Sequence, residues 1–161
     1  MKVVGIDPGL ERVGYAVIDH TNTQDKLVES GLIKTSPLKT KGERLDLIYR
    51  QLLEVLERAT PSLAGVETLY FTVNSKSAMS VAEARGVILV LLAQKHIPTI
   101  EPTPLQVKVA LTGYGKADKT QVSGMVKKIL RFKEDLGPDD VYDAVAIALA
   151  SAALNMSAAM R

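Results

Sequence analysis

The chain contains no cysteine and no tryptophan, and its only histidines are His20 and His96. Without thiols there is no disulfide, no thiolate zinc site and no cysteine nucleophile, a composition that fits a reducing compartment. Two imidazoles are too few for a histidine-rich zinc or iron centre. Any metal must therefore be held by oxygen, which suits Mg²⁺ or Mn²⁺. A strong charge imbalance is also missing: the formal net charge is +2, so any surface for a polyanion must come from uneven placement of charge. The longest apolar run, Gly86 to Ala93, is well short of a membrane span, and the opening run breaks at Asp7-Pro8-Gly9, too soon for a signal peptide. A cytoplasmic protein with no membrane association is expected. The 161 residues, 47% of them hydrophobic, suffice for one sizeable core, so a single domain over residues 1–161 is expected.

Strand signals come first along the chain: Lys2 to Asp7, Val13 to Asp19 and Lys26 to Thr35, joined by turn-forming segments as an antiparallel meander. From Lys41 to Ala59, Leu45, Ile48, Leu52, Val55 and Leu56 recur at helical spacing, and Pro61 follows. Leu63 to Glu67 reads as a buried strand, Ser77 to Lys95 as a helix and Pro98 to Glu101 as a last short strand. Helices over Pro104–Leu111, Asp118–Arg131 and Asp139 to about Met156 complete the chain. Val87 to Leu92 is apolar all round, which fits either a helix deep in the core or a subunit interface. Strands followed by alternating helices and strands predict an α/β fold, a mixed sheet with helices on both faces.

Four carboxylates stand at the ends of these elements: Asp7 leaving the first strand, Glu67 leaving the fourth, and Asp140 with Asp143 on one face of the last helix. Each has an ordinary explanation. Asp-Pro-Gly is a turn sequence, Glu67 can be the polar end of a strand, and acids favour a helix N-terminus. Asp143, at the entry to the apolar run Ala144 to Ala150, is harder to explain that way. Clustered acids at the ends of core elements need compensation for desolvation and repulsion, which divalent cations supply, and this points to phosphodiester chemistry.

Between Leu105 and Lys133 lie seven basic residues, Lys108, Lys116, Lys119, Lys127, Lys128, Arg131 and Lys133, against one acid, Asp118. They form either a solvated helix face or a set of phosphate contacts beside the metal site. Tyr70 and Phe71, in a polar loop just after Glu67, either anchor that loop to the core or stack on bases.

The order Gly5-Ile6-Asp7-Pro8-Gly9, Val66-Glu67, Asn74, Ala84-Arg85-Gly86, Gln106-Val107-Lys108, Lys119-Thr120-Gln121-Val122 and Asp140-x-x-Asp143-Ala144 resembles the RuvC family of Holliday junction resolvases over nearly the whole chain. The resemblance implies a ribonuclease-H-like five-stranded mixed sheet, a homodimer, and divalent-metal cleavage of two symmetric strands of a four-way DNA junction. It further implies a branch-migration partner, the RuvA–RuvB complex. It makes Asp7, Glu67, Asp140 and Asp143 the catalytic metal ligands for Mg²⁺ or Mn²⁺, two ions per site. Lys119 and Lys108 become the basic residues near the scissile phosphate, and Tyr70, Phe71, Asn74 and Lys116 join them as DNA contacts. Tyr70 departs from the Phe often found at its position, and Val141 and Tyr142 replace smaller residues between the last two acids. Asp139, four residues before Asp143, competes with Asp140 as a ligand. The rival readings are a nuclease of the same fold cutting RNA/DNA hybrids and a non-catalytic junction-binding protein. A sugar-kinase or actin-like nucleotide binder would need two lobes, for which the chain leaves no room.

Overall fold

The structure, a computed structural model, describes residues 1–21, 23–69, 75–132 and 135–159, the side chains of 75–77 and 157–159 excepted. Three strands, β1 (Lys2–Asp7), β2 (Arg12–His20) and β3 (Asp25–Lys34), form the antiparallel meander, with β4 (Leu63–Val66) and β5 (Thr99–Ile100) added parallel on the other side of β1. The order β3-β2-β1-β4-β5 is a mixed five-stranded sheet with β1 at its centre. Alternation in β1 sends Val3 to one face and Val4 and Ile6 to the other, so the sheet needs a cover on each side.

One face is covered by α1 (Lys41–Ala59) and α2 (Ser75–Gln94), which bury Ile48, Leu52, Val55, Ile88, Leu91 and Leu92 against Val4, Ile6 and Val17. The other face carries α5 (Asp139–Ala159), with α3 (Pro104–Thr112) and α4 (Lys119–Ile129) packed on it in turn. The helix starts have local causes. Capping boxes pair Thr40 with Glu43, Thr103 with Gln106 and Asp118 with Gln121, each satisfying two N–H groups at a helix start. At the far end of α3, Gly113 takes the left-handed conformation (φ 73°) that closes a helix most cheaply. Among the described residues no helix is long and apolar enough to cross a membrane.

The structure refines one expectation about a helix and corrects one about a strand. Within the apolar segment Val87–Leu92 of α2, Ile88, Leu91 and Leu92 are buried in the core while Val90 faces outward, as do Met79 and Gly86 earlier in the helix. The strand expected over Pro98–Glu101 is only Thr99–Ile100, and Glu101, just past its end, forms an ion pair with Arg85.

Candidate active site

The parallel pairing of β1 with β4 matches Ile6 to Val66, so the next residues, Asp7 and Glu67, leave the sheet side by side at the same edge. On the other flank of β1, Asp7 is in register with Gly14 of β2. Gly14 is where α5 lands. A Cβ there would lie 1.9 Å from the Asp140 carbonyl oxygen, and one on Gly5 would lie 2.1 Å from that of Ala144. Side-chain-free strand positions thus let the helix backbone sit directly on the sheet, bringing Asp140 and Asp143 over the end of β1.

The exit of β4 is fixed from several directions. Thr68 donates from both its N–H (3.0 Å) and its hydroxyl (3.2 Å) to the Pro102 carbonyl. Arg85 Nε donates to the Glu67 carbonyl at 3.0 Å while the same guanidinium pairs with Glu101. Arg85 is therefore a clamp on the backbone that carries Glu67. Replacing it with Gln should lower the rate of chemistry at this site about tenfold while leaving substrate affinity within a factor of two or three, because one charge-assisted bond to a carbonyl is lost. Lys, which lacks the planar fork, should not restore the rate. Single-turnover kinetics beside a binding isotherm separate these effects.

The carboxylates and lysines share two adjoining depressions. One, of about 210 Å³, is lined by Glu67, Asp143, Lys108 and Lys119 among others; the second, of about 410 Å³, takes in Asp7, Asp140, Arg12 and Arg44. The four acids interact across the boundary. Burial first, then Asp143, Glu67 and Asp140, push the Asp7 carboxyl up to about 7, with Lys119 opposing. Burial and Asp143 likewise raise Glu67 to about 7 against Lys119 and Lys108, and burial raises Asp143. Lys119 Nζ lies 3.6 Å from Asp143 and 3.7 Å from Asp139, ion-pair distances beyond good hydrogen bonding, and Asp143 raises its pKa.

Asp139 and Asp140 are told apart by their surroundings. Asp139 is 80% exposed, whereas Asp140 is 19% exposed, acts on Asp7, and has Arg12 Nη2 3.3 Å from its Oδ2. That contact lacks hydrogen-bond geometry, so Asp140 Oδ2 is a buried acceptor without a donor. Tyr142, between the two acids, turns away: its hydroxyl donates to Asp135 (2.8 Å) and accepts from the Leu136 N–H, while Lys127 sits 5.4 Å above its ring. Lys116 is exposed in the α3–α4 turn and lines neither depression. Tyr70, Phe71 and Asn74 lie outside the described residues. Arg12, Arg44, Arg85 and Gly14 are additions to the residues expected from sequence. Only Gly14, an isolated glycine inside a strand pattern, carried a readable signal of close backbone approach.

Residues 3–151 match the family model for the crossover junction endodeoxyribonuclease RuvC. The chain belongs to the RuvC family. The RuvC of Pelotomaculum thermopropionicum is 43% identical over 152 residues, spanning 94% of this chain and 93% of that one. That of Treponema denticola is 46% identical over 147 residues, 91% and 83% of the two chains. Among solved structures, Thermus thermophilus RuvC in complex with a Holliday junction substrate superposes with a TM-score of 0.92 at 37% identity, covering 98% of this chain and 96% of that one. The ribonuclease-H-like architecture thus holds for this RuvC-family member over almost its whole length.

The donor set fits the divalent cation that RuvC nucleases require. It is all oxygen, it is mutually repelling, and it includes a buried carboxylate oxygen with no hydrogen-bond donor. Among the described residues no three acidic or imidazole groups are arranged to hold a metal ion as they stand. Asp140 lies beside Arg12 and Asp143 beside Lys119.

Proposed function

We propose that this chain, as a single nuclease domain over residues 1–161, resolves four-way DNA junctions by paired symmetric nicks during recombination and repair. The observation that carries the reading is the convergence of Asp7, Glu67, Asp140 and Asp143, from a central strand, its parallel neighbour and one helix, beside Lys108 and Lys119. A relative matching 98% of the chain is bound to a Holliday junction, which names the substrate.

In this reading the four carboxylates hold two Mg²⁺ or Mn²⁺ ions. Such ions supply Lewis acidity, activating a water for in-line attack and offsetting charge on the leaving oxygen. Asp7 and Asp143 would be central to holding them, since each interacts with the other three acids. In this reading Lys119, which lines the cleft with Lys108, would offset charge developing on the scissile phosphate and Lys108 would hold the strand, while Tyr70, Phe71, Asn74 and Lys116 would contact DNA around the crossover. Lys119→Ala should lower turnover of bound junction about 100-fold, the order expected for losing a charge aimed at the transition state. Unchanged single-turnover rates would remove Lys119 from the mechanism.

A symmetric substrate calls for two sites, and the outward face of α2 offers the contact for a two-fold homodimer through Met79, Gly86 and Val90. Val90→Glu should shift sedimentation at micromolar concentration from dimer to monomer and replace paired nicks by single ones. By family, a cytoplasmic RuvA–RuvB complex delivers the junction. The decisive assay uses a mobile four-way junction labelled on each strand, with Mg²⁺ or Mn²⁺, beside an RNA/DNA hybrid. Symmetric nicks in the junction alone support the reading. Cleavage of the hybrid instead, or junction binding without cleavage in either metal, overturns it.

A further inference from the structure

The depression on the Arg12 side of Asp7 contains more donors than the four carboxylates can use. Arg44, in the first turns of α1, is anchored from behind: its Nε donates at 2.8 Å to the Thr35 hydroxyl, which itself donates at 2.6 Å to the Leu10 carbonyl. Thr35 N–H also reaches the Glu11 carbonyl at 3.0 Å, so the loop leaving β1, the end of β3 and the start of α1 form one braced unit. Nη2 of Arg44, on the same edge as Nε, is buried and has no partner among the described residues, and the guanidinium lines the depression. No carboxylate pairs with this guanidinium there, although Glu11, Asp7 and Asp140 all border the same cleft. Arg12 reaches in from the opposite wall, 55% exposed and engaged only by the poorly aligned contact to Asp140, and Ser80 of α2 adds a hydroxyl.

We propose that Arg44 and Arg12, with Ser80, bind a second phosphate of the cut strand, adjacent to the scissile one. A guanidinium fixed at its Nε, lining the cleft and paired with no carboxylate among the described residues, is a donor that a phosphodiester accepts. With Asp7 and Asp140 committed to cations in the proposed mechanism, the two guanidiniums of Arg12 and Arg44 outweigh the exposed Glu11 carboxylate among the charges lining the cleft. Lys108 and Lys119 line the other depression, with Glu67 and Asp143. The strand would thus be gripped on both sides of the bond that breaks, and Arg12 would exchange Asp140 for the phosphate as the strand seats.

The inference rests on junction cleavage being the activity, which resolution of an unmodified junction by the wild-type protein in Mg²⁺ checks separately. The test uses junctions carrying one uncharged methylphosphonate linkage at each of the two phosphates on either side of the cut. For the wild type, one of these positions should lower kcat/KM roughly 10- to 100-fold, the size of a lost charge-assisted contact. Arg44→Gln should show a similar loss on the unmodified junction and no further loss at that one linkage, and Arg12→Gln should be blind to the same linkage. Losses that multiply at every position, or a wild type indifferent to all four linkages, would overturn the proposal. Arg12 is exposed and free of packing duties, so its variant carries the test if Arg44→Gln melts early.

Discussion

Asp7→Asn is expected to abolish junction cleavage, by at least about 1,000-fold, while leaving junction affinity intact and making the metal-free protein more stable. The amide keeps the shape of the carboxylate but loses the charge that holds a cation, hence the loss of rate. The stability gain follows from the raised pKa. A carboxyl whose pKa is about 7 when folded, against 3.8 in an ordinary environment, favours its protonated form in the native state. Its contribution is therefore fully present below about pH 4 and is lost as the pH climbs through 7, with Glu67 adding in the same direction. Without metal, the wild type should melt at progressively lower temperature from pH 5 to pH 8, and Asp7→Asn should flatten that decline, melting about 3–10 °C above the wild type at pH 8. Mg²⁺ or Mn²⁺ should raise the wild-type melting temperature more at pH 8 than at pH 6, since binding requires deprotonated ligands, and should raise the variant's little. Calorimetry at three pH values with and without metal checks all of this. A variant that still nicks junctions in Mg²⁺ would remove Asp7 from the metal site.

Gly14→Ala should be nearly as damaging by an entirely different route. The added methyl would sit 1.9 Å from the Asp140 carbonyl oxygen, a backbone atom at the head of a long buried helix with no rotamer to escape into. Strand β2 and α5 must separate, at a cost of about 1–3 kcal/mol or more, and the displacement falls on the residue that carries the third carboxylate. Urea denaturation should register the lost stability, and the metal-induced rise in melting temperature should shrink even where the fold survives. Gly124→Ala is the matched control. It lies inside α4 with nothing within 4 Å of its added methyl, and should stabilise by about 0.5–1 kcal/mol. A Gly14→Ala protein as stable and as metal-responsive as the wild type would mean that α5 does not rest on β2 as described.

The two variants mark the boundary of what was readable from residues alone. Strand exits and helix caps are local, so Asp7 and Glu67 could each be placed at the end of a strand, and α1 at Lys41–Ala59, without coordinates, whereas the parallel pairing of β1 with β4 that gives the two acids one edge is a tertiary fact. The contact of Gly14 with Asp140 joins residues 126 positions apart and leaves in the sequence only a glycine in a strand. The Arg12–Asp140 and Arg85–Glu67 contacts leave nothing, because surface arginines are ordinary and their partners are fixed by tertiary packing. Alternation between Asp139 and Asp140 could not be decided from spacing, since both share a face with Asp143. Burial distinguishes them, and burial depends on where α5 lands. The apolar segment of α2 posed the same difficulty: hydrophobicity on every side says that both faces will be covered but not by what.

The placement of α4 has a consequence of its own. The acids are mounted on the central strand, its neighbour and the helix lying directly on them, but Lys119 is carried by a helix that packs chiefly on α3 and α5. Opening fluctuations that cost nearly the whole folding free energy at β1 cost far less at an outlying helix. The two halves of the cleft, proposed to hold cations and to offset charge, are therefore expected to open at different free-energy cost. Warming should first uncouple Lys119 from an otherwise intact carboxylate set, leaving a molecule that still grips metal while its cutting rate falls away below the melting point.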